Sequence, residues 1–187
     1  QDEYRHVNEF IEMMNYIKLD VLFTCVPTKE IEKVYPKSKL PKTRKENVLT
    51  GYVPENLLNF KTPLIKNRNI DVAYRARKLP FWLGDLAREK WQIADLFKEK
   101  TKGTDLKIDV SYAEESRIYG DEWLKFIANS KTSLGVESGA SVFDFDGKLQ
   151  RRVESYCKAH PKATYEEVHK KYLAPFEGKI KLNQISP

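Results

Sequence analysis

The chain has 187 residues, of which 41% are hydrophobic and 12% aromatic, enough apolar material for one sizeable core or two small ones and too much for a disordered chain. No apolar run approaches the roughly 20 residues that cross a bilayer, and the N-terminal stretch lacks the apolar centre of a signal peptide, so a cytoplasmic protein is expected. Cys25 and Cys157 lie far apart without metal-type spacing, which gives a disulfide framework or a zinc site little support. The net charge of +6 is concentrated in residues 27–68, where ten Lys or Arg face four Asp or Glu. Such a stretch attracts nucleic acid, an acidic membrane surface or a phosphorylated substrate, unless it is simply a solvated loop. The aromatic residues there, Tyr35, Tyr52 and Phe60, are too sparse to stack bases, so nucleic acid is not expected as a partner, while peripheral contact with the inner face of a membrane stays open.

In chain order, Val7, Phe10, Ile11 and Met14 recur at helical spacing and predict a helix over residues 5–16. The run Leu19–Val26 follows, with the composition of a parallel strand covered on both sides, and Pro27 closes it. Pro27, Pro36, Pro41, Pro54 and Pro63 then mark an irregular connector or domain junction, with room for one short strand over residues 47–53. A second unit starts with a strand at Ile70–Arg75, a turn rich in Arg and Pro, and a helix over about 85–98 with Leu86, Ile93, Ala94 and Phe97 inward, stopped by Gly103. The alternation repeats as a strand at Leu106–Ser111, a helix at 120–129 with Trp123, Phe126 and Ile127 inward, and a strand at Thr132–Val136. It predicts an α/β fold with a parallel sheet. Helices are expected near 148–158 and from Thr164, where Thr164 and Glu167 have capping-box spacing between Pro161 and Pro175.

In an open parallel sheet, ligands bind beyond the carboxyl ends of the strands. Two segments qualify. Residues 74–84 place Arg75, Arg77 and Lys78 between a strand end and a helix start, a position suited to a diphosphate, although basic loop residues are commonly just solvated. Residues 135–147 combine small residues, which permit close backbone approach, with the carboxylates of Glu137, Asp144 and Asp146. Those acids either orient sugar hydroxyls or cap helices and fill turns, and Asp146-Gly147 reads as a turn. Two carboxylates in Asp144-x-Asp146 are too few oxygen ligands for a metal, so no metal is expected. His6, His160 and His169 fall in or beside helices without a nucleophile partner, and no Walker-type or G-x-G-x-x-G loop is present, which argues against Ser-His-Asp chemistry, an ATPase and an NAD enzyme.

At these segments the sequence resembles bacterial glycosyltransferases of the GT-B type, which build surface polysaccharides and glycans with two Rossmann-like domains across a cleft. The similar stretches are Gln1–Tyr4, Asp20–Thr24, Leu49–Pro54, Asp71–Arg77, Arg117–Gly120, Leu134–Ser141 and Ile185–Pro187, and in order and spacing they are spread over most of the chain. The resemblance implies Rossmann-like parallel sheet units of an incomplete GT-B protein. Residues 1–66 would end the acceptor-side domain and include the linker, and residues 67–187 would begin the donor-binding domain. In such proteins the Ser-Pro ending runs on into an Arg-x-Phe-Glu-Ala helix, so an internal fragment of a longer enzyme is expected, itself weakly active or inactive. The implied reaction moves a sugar from a nucleoside diphosphate to a glycan or lipid-linked acceptor, with the nucleotide-sugar as co-substrate and no further cofactor. Arg75, Arg77 and Lys78 would offset the charge of the diphosphate, and Glu137, Ser138 and Gly139 would line the donor pocket. No catalytic base is assignable, because it usually comes from the other domain. The alternatives are a degenerate α/β domain that binds a nucleotide or a partner without catalysis, a receiver-like domain, disfavoured because Asp20 precedes its strand, and a basic nucleic-acid-binding module.

Overall fold

The computed structural model describes residues 3–48, 51 and 54–186, with backbone alone at Asn56 and 183–186. It is a mixed α/β structure with small parallel sheets. The chain divides into two units that are interleaved along the sequence. One comprises residues 1–50, 80–87 and 138–184, and the other comprises 51–79, 88–137 and 185–187, so residues 51–79 stay together across position 66. Among the described residues no helix is long and apolar enough to cross a membrane.

In the first unit, helix α1 (Val7–Tyr16) buries Val7, Ile11 and Met14, the face its spacing predicts, with Phe10 packed at the edge. Strand β1 (Val21–Thr24) pairs in parallel with β2 (Arg44–Asn47), Val21 opposite Arg44 and Thr24 opposite Asn47. The crossover contains the short helix α2 (Ile31–Val34), which buries Ile31 and Val34 in the same core as α1. The expectation that β1 is covered on both faces is corrected, because Phe23 is 64% exposed. An apolar run reports affinity for a core, and this two-strand sheet has one covered face to offer. Of the strand expected over 47–53, Asn47 ends β2, and residues 49, 50, 52 and 53 lie outside the described ones. Glu3 ties the chain start to the end of β1: its carboxylate accepts hydrogen bonds from the Thr24 hydroxyl, the Cys25 N–H (2.9 Å) and the Tyr35 hydroxyl (3.2 Å).

In the second unit, β3 (Ile70–Arg75) is the centre of a three-stranded parallel sheet in the order β4-β3-β5, with β4 at Ile108–Ser111 and β5 at Ser130–Ser133. Helix α3 (Asp85–Lys100), whose first turn belongs to the first unit, connects β3 to β4, and α4 (Gly120–Ala128) connects β4 to β5. Tyr74, Ala94 and Val110 form the buried centre, with Ile93, Phe97 and Leu134 packed around it. The Tyr74 hydroxyl, which would otherwise be an unpaired buried donor, bonds the Lys90 carbonyl at 2.8 Å. Helices and parallel pairings thus follow the expected alternation, but in separate small sheets rather than one open sheet.

The expected strand Thr132–Val136 divides at Leu134-Gly135 into β5 and a further strand, β6 (Val136–Ala140), which pairs with β7 (Leu182–Ser186). The start of the expected small-residue loop 135–147 is therefore sheet. Ser138, Gly139 and Ala140 are buried, so their small size serves close packing of a strand and not an open ligand loop. Helix α5 (Lys148–Ala159) follows, and the acids before it act as caps. Asp144 Oδ2 accepts the Gln150 N–H at 2.8 Å, Asp146 Oδ1 accepts the Lys148 N–H at 3.1 Å, and Gly147 takes φ 69° at the N-cap.

Helix α6 (Tyr165–Val168) opens with the capping box that the sequence predicts: Thr164 Oγ1 accepts from the Glu167 N–H, and the Glu167 carboxylate accepts from the Thr164 N–H. Thr164→Ala is expected to lower stability by about 1 kcal/mol, read as a lower urea midpoint at constant slope. The helix continues as a π-helical turn, His169–Leu173, ahead of Pro175.

Candidate functional site

The order β4-β3-β5 gives the central strand neighbours reached in opposite directions, and the crevice beyond its carboxyl end is where parallel α/β sheets bind ligands. Arg75 is the last residue of β3, so the chain delivers its cations to that end of the sheet. There a cleft of about 420 Å³ is lined by Arg75, Ala76 and Arg77 after β3, Lys90 from α3, and Arg117 to Gly120 with Trp123 around the start of α4. Four cationic side chains thus meet the N-terminal turn of a nine-residue helix, whose unpaired N–H groups favour anions. Asp121 and Glu122 in that turn oppose an anion at the helix end itself, which puts the weight of attraction on the cations.

The cations differ in what they are free to do. Arg75 is anchored: Nε donates to the Ser116 carbonyl (3.0 Å), Nη1 to the carbonyls of Tyr74 (3.0 Å) and Asp109 (2.9 Å), and Nη2 to Asp109 Oδ1 (2.8 Å). Its guanidinium also lies 4.4 Å from the Phe126 ring centroid. A side chain so engaged shapes the cleft and adds charge, but it has little left with which to grip a ligand. Arg77 is the freest, 61% exposed and 3.9 Å from Glu114. Arg117 donates from Nη1 to the same carboxylate at 2.6 Å and stacks 4.9 Å from the Tyr119 ring. This hydrogen bond, with Coulombic help from both arginines, holds the Glu114 carboxyl below its ordinary range. Burial pushes the Lys90 ammonium below its usual value.

Of the residues expected to contact a diphosphate, Arg75 and Arg77 line the cleft together, whereas Lys78 turns to Trp91, its Nζ 5.0 Å from the ring centroid. Of the residues expected in the donor pocket, Glu137 is exposed at the end of the segment 88–137, and Ser138 and Gly139 are buried in β6 within the other unit. A side chain only 2% exposed, as Ser138 is, contacts a ligand only if the strand moves, so the donor-pocket role of that residue finds no geometric support.

The sequence does not single out Lys90 or Arg117, which also line the cleft. Lys90 sits mid-helix, where no local pattern separates it from a solvated lysine. Arg117 precedes α4 in the β4 connection, the same kind of position as Arg77 after β3, and that parallel was a usable signal. The chain matches no protein-family profile, no curated protein and no solved structure.

Proposed function

We propose that the cleft beyond β3 binds the diphosphate of a nucleotide-sugar and that the chain contributes the donor-binding part of a GT-B type glycosyltransferase with Rossmann-like units, acting on a glycan or lipid-linked acceptor. One observation carries the reading: Arg75, Arg77, Lys90 and Arg117 converge at the carboxyl ends of parallel strands, beside a helix start. In the reaction, the acceptor hydroxyl oxygen bonds to the anomeric carbon and gives its proton to a base outside this cleft, the bond from that carbon to the diphosphate oxygen breaks, and Arg77 and Arg117 stabilise the charge that builds on the departing nucleoside diphosphate. Arg75 positions the loop from Ser111 to Arg117 and adds to the field. The basic stretch 27–68 is the proposed contact for a membrane-borne acceptor.

A second reading, binding without turnover, is favoured by the composition of the wall: among the described residues that line the cleft, none is a carboxylate or imidazole able to act as a base. Calorimetry with UDP, GDP and ADP, followed by incubation with the matching sugar donors, separates the two. Binding of one diphosphate together with sugar release or transfer supports glycosyl transfer, and binding with no consumption of donor supports the second reading. If none of the three nucleotides binds, both fail.

A further inference from the structure

In the first unit, three side chains of types that ligate metals converge, with no part in the reading above. Asp85, His169 and Glu177 each present a ligand atom, and these atoms all lie within 4.8 Å of one another. His169 Nε2 and Glu177 Oε2 are 3.8 Å apart. They come from distant stretches: Asp85 opens α3, His169 begins the π-helical turn, and Glu177 follows Pro175. We propose that this triad binds a divalent first-row transition metal through one imidazole nitrogen and two carboxylates, with zinc the natural probe.

Two observations beyond proximity point to a ligand. His169 Nε2 is shielded from solvent and has no hydrogen-bond partner, although polar atoms so placed are normally paired. At 3.8 Å from Glu177 it is too far for a hydrogen bond. Zinc bonds of about 2.1 Å to nitrogen and oxygen together span up to about 4.2 Å, so one ion reaches both atoms. The second observation is preorganisation. The Tyr165 hydroxyl donates to Asp85 Oδ1 at 2.7 Å, the outer hydrogen bond that orients a ligating carboxylate. Glu177 Oε2 accepts the Asp85 N–H at 3.3 Å, and it lies so close to Gly84 (φ 86°) that a Cβ there would come within 2.6 Å of it. Gly84 thereby makes room for the carboxylate. The π-helical turn resets the side-chain phase along the chain at His169, an irregularity common at functional sites.

Nitrogen with two carboxylate oxygens is a borderline-hard donor set that suits zinc, manganese or ferrous iron rather than calcium, which takes six or more oxygens. Exposed Asp85 leaves one side of the ion open to water. The rival is an ion pair between His169 and Glu177 that needs no metal.

The test is calorimetry with Zn²⁺ and visible spectroscopy with Co²⁺ on the whole chain. One metal per chain and Co²⁺ ligand-field bands are expected. His169→Gln and Glu177→Gln each weaken binding about a hundredfold or abolish it, Asp85→Asn and Tyr165→Phe weaken it about tenfold or more, and His160→Gln leaves it unchanged. Asp85→Asn carries the test should the variants of half-buried His169 and Glu177 fail to fold. Absence of uptake by the unmodified chain overturns the proposal and leaves the ion pair as the rival account. Uptake at unchanged affinity in His169→Gln, or in Asp85→Asn if only that variant folds, overturns it as well. Nucleotide binding at the other cleft is read separately in each variant, so failure of either assignment leaves the other standing.

Discussion

Arg77→Ala and Arg117→Ala are each expected to weaken nucleoside diphosphate binding by about tenfold or more, while Glu114→Gln strengthens it. A charge-assisted hydrogen bond to phosphate contributes about 1.5–3 kcal/mol, and each 1.4 kcal/mol is a factor of ten. Glu114 decides the sign of the third variant. Its carboxylate holds Arg117 at 2.6 Å and faces Arg77 at 3.9 Å, so it occupies the guanidinium groups that a diphosphate would need. Neutralising it frees both arginines and removes a like charge from the approach of the ligand. Calorimetry with UDP, GDP and ADP at two salt concentrations reads the effect, and the arginine variants should show the shallower salt dependence. Unchanged affinity in both arginine variants would remove the diphosphate from this cleft, and a drop in Glu114→Gln would mean that the carboxylate contacts the ligand itself.

Arg75→Ala is expected to act first on the fold, with about 3 kcal/mol lost from the second unit. The substitution removes four hydrogen bonds from a side chain only 14% exposed and leaves the carbonyls of Tyr74, Asp109 and Ser116 without that donor. The partner Asp109 is 44% exposed, so water screens the ion pair, and most of the loss comes from the carbonyls. Arg75→Lys should recover little, because a single ammonium cannot match a planar fork aimed at several acceptors. The measurement is hydrogen exchange at the β3 and β4 amides, which reports this unit by itself and needs no all-or-none transition of the whole chain. Protection like that of the unmodified chain would show the contacts to be ornamental, and Arg75 would return to the ligand-binding set beside Arg77.

These expectations differ for two arginines that are two residues apart, and the difference shows where sequence reading stops. Arg75 and Arg77 look equivalent in a basic loop after a strand. Yet Arg75 is held by the parallel register that sets it opposite Ser111 and brings the Asp109 carboxylate and the Ser116 carbonyl to its guanidinium, while Arg77 has left the sheet. Register between strands more than 30 residues apart is not written in either strand alone.

The same division runs through the molecule. Local periodicity and end signals were enough for α1, β3, α3, α4 and the capping box at Thr164, because helix phase, capping and turn chemistry act over a few residues. They also carried the parallel alternation and the placing of Arg75 and Arg77 at a strand's end. Only the tertiary structure decided that Ser138 and Gly139 are buried in a strand, that β1 has an exposed face, and that Lys90 and Arg117 join Arg77 at one cleft. It also decided that Asp85, His169 and Glu177 meet. Those outcomes depend on which surfaces the chain folds against each other, and contacts across 80 or more residues, such as Tyr165 to Asp85, leave no periodic trace in the order of the amino acids.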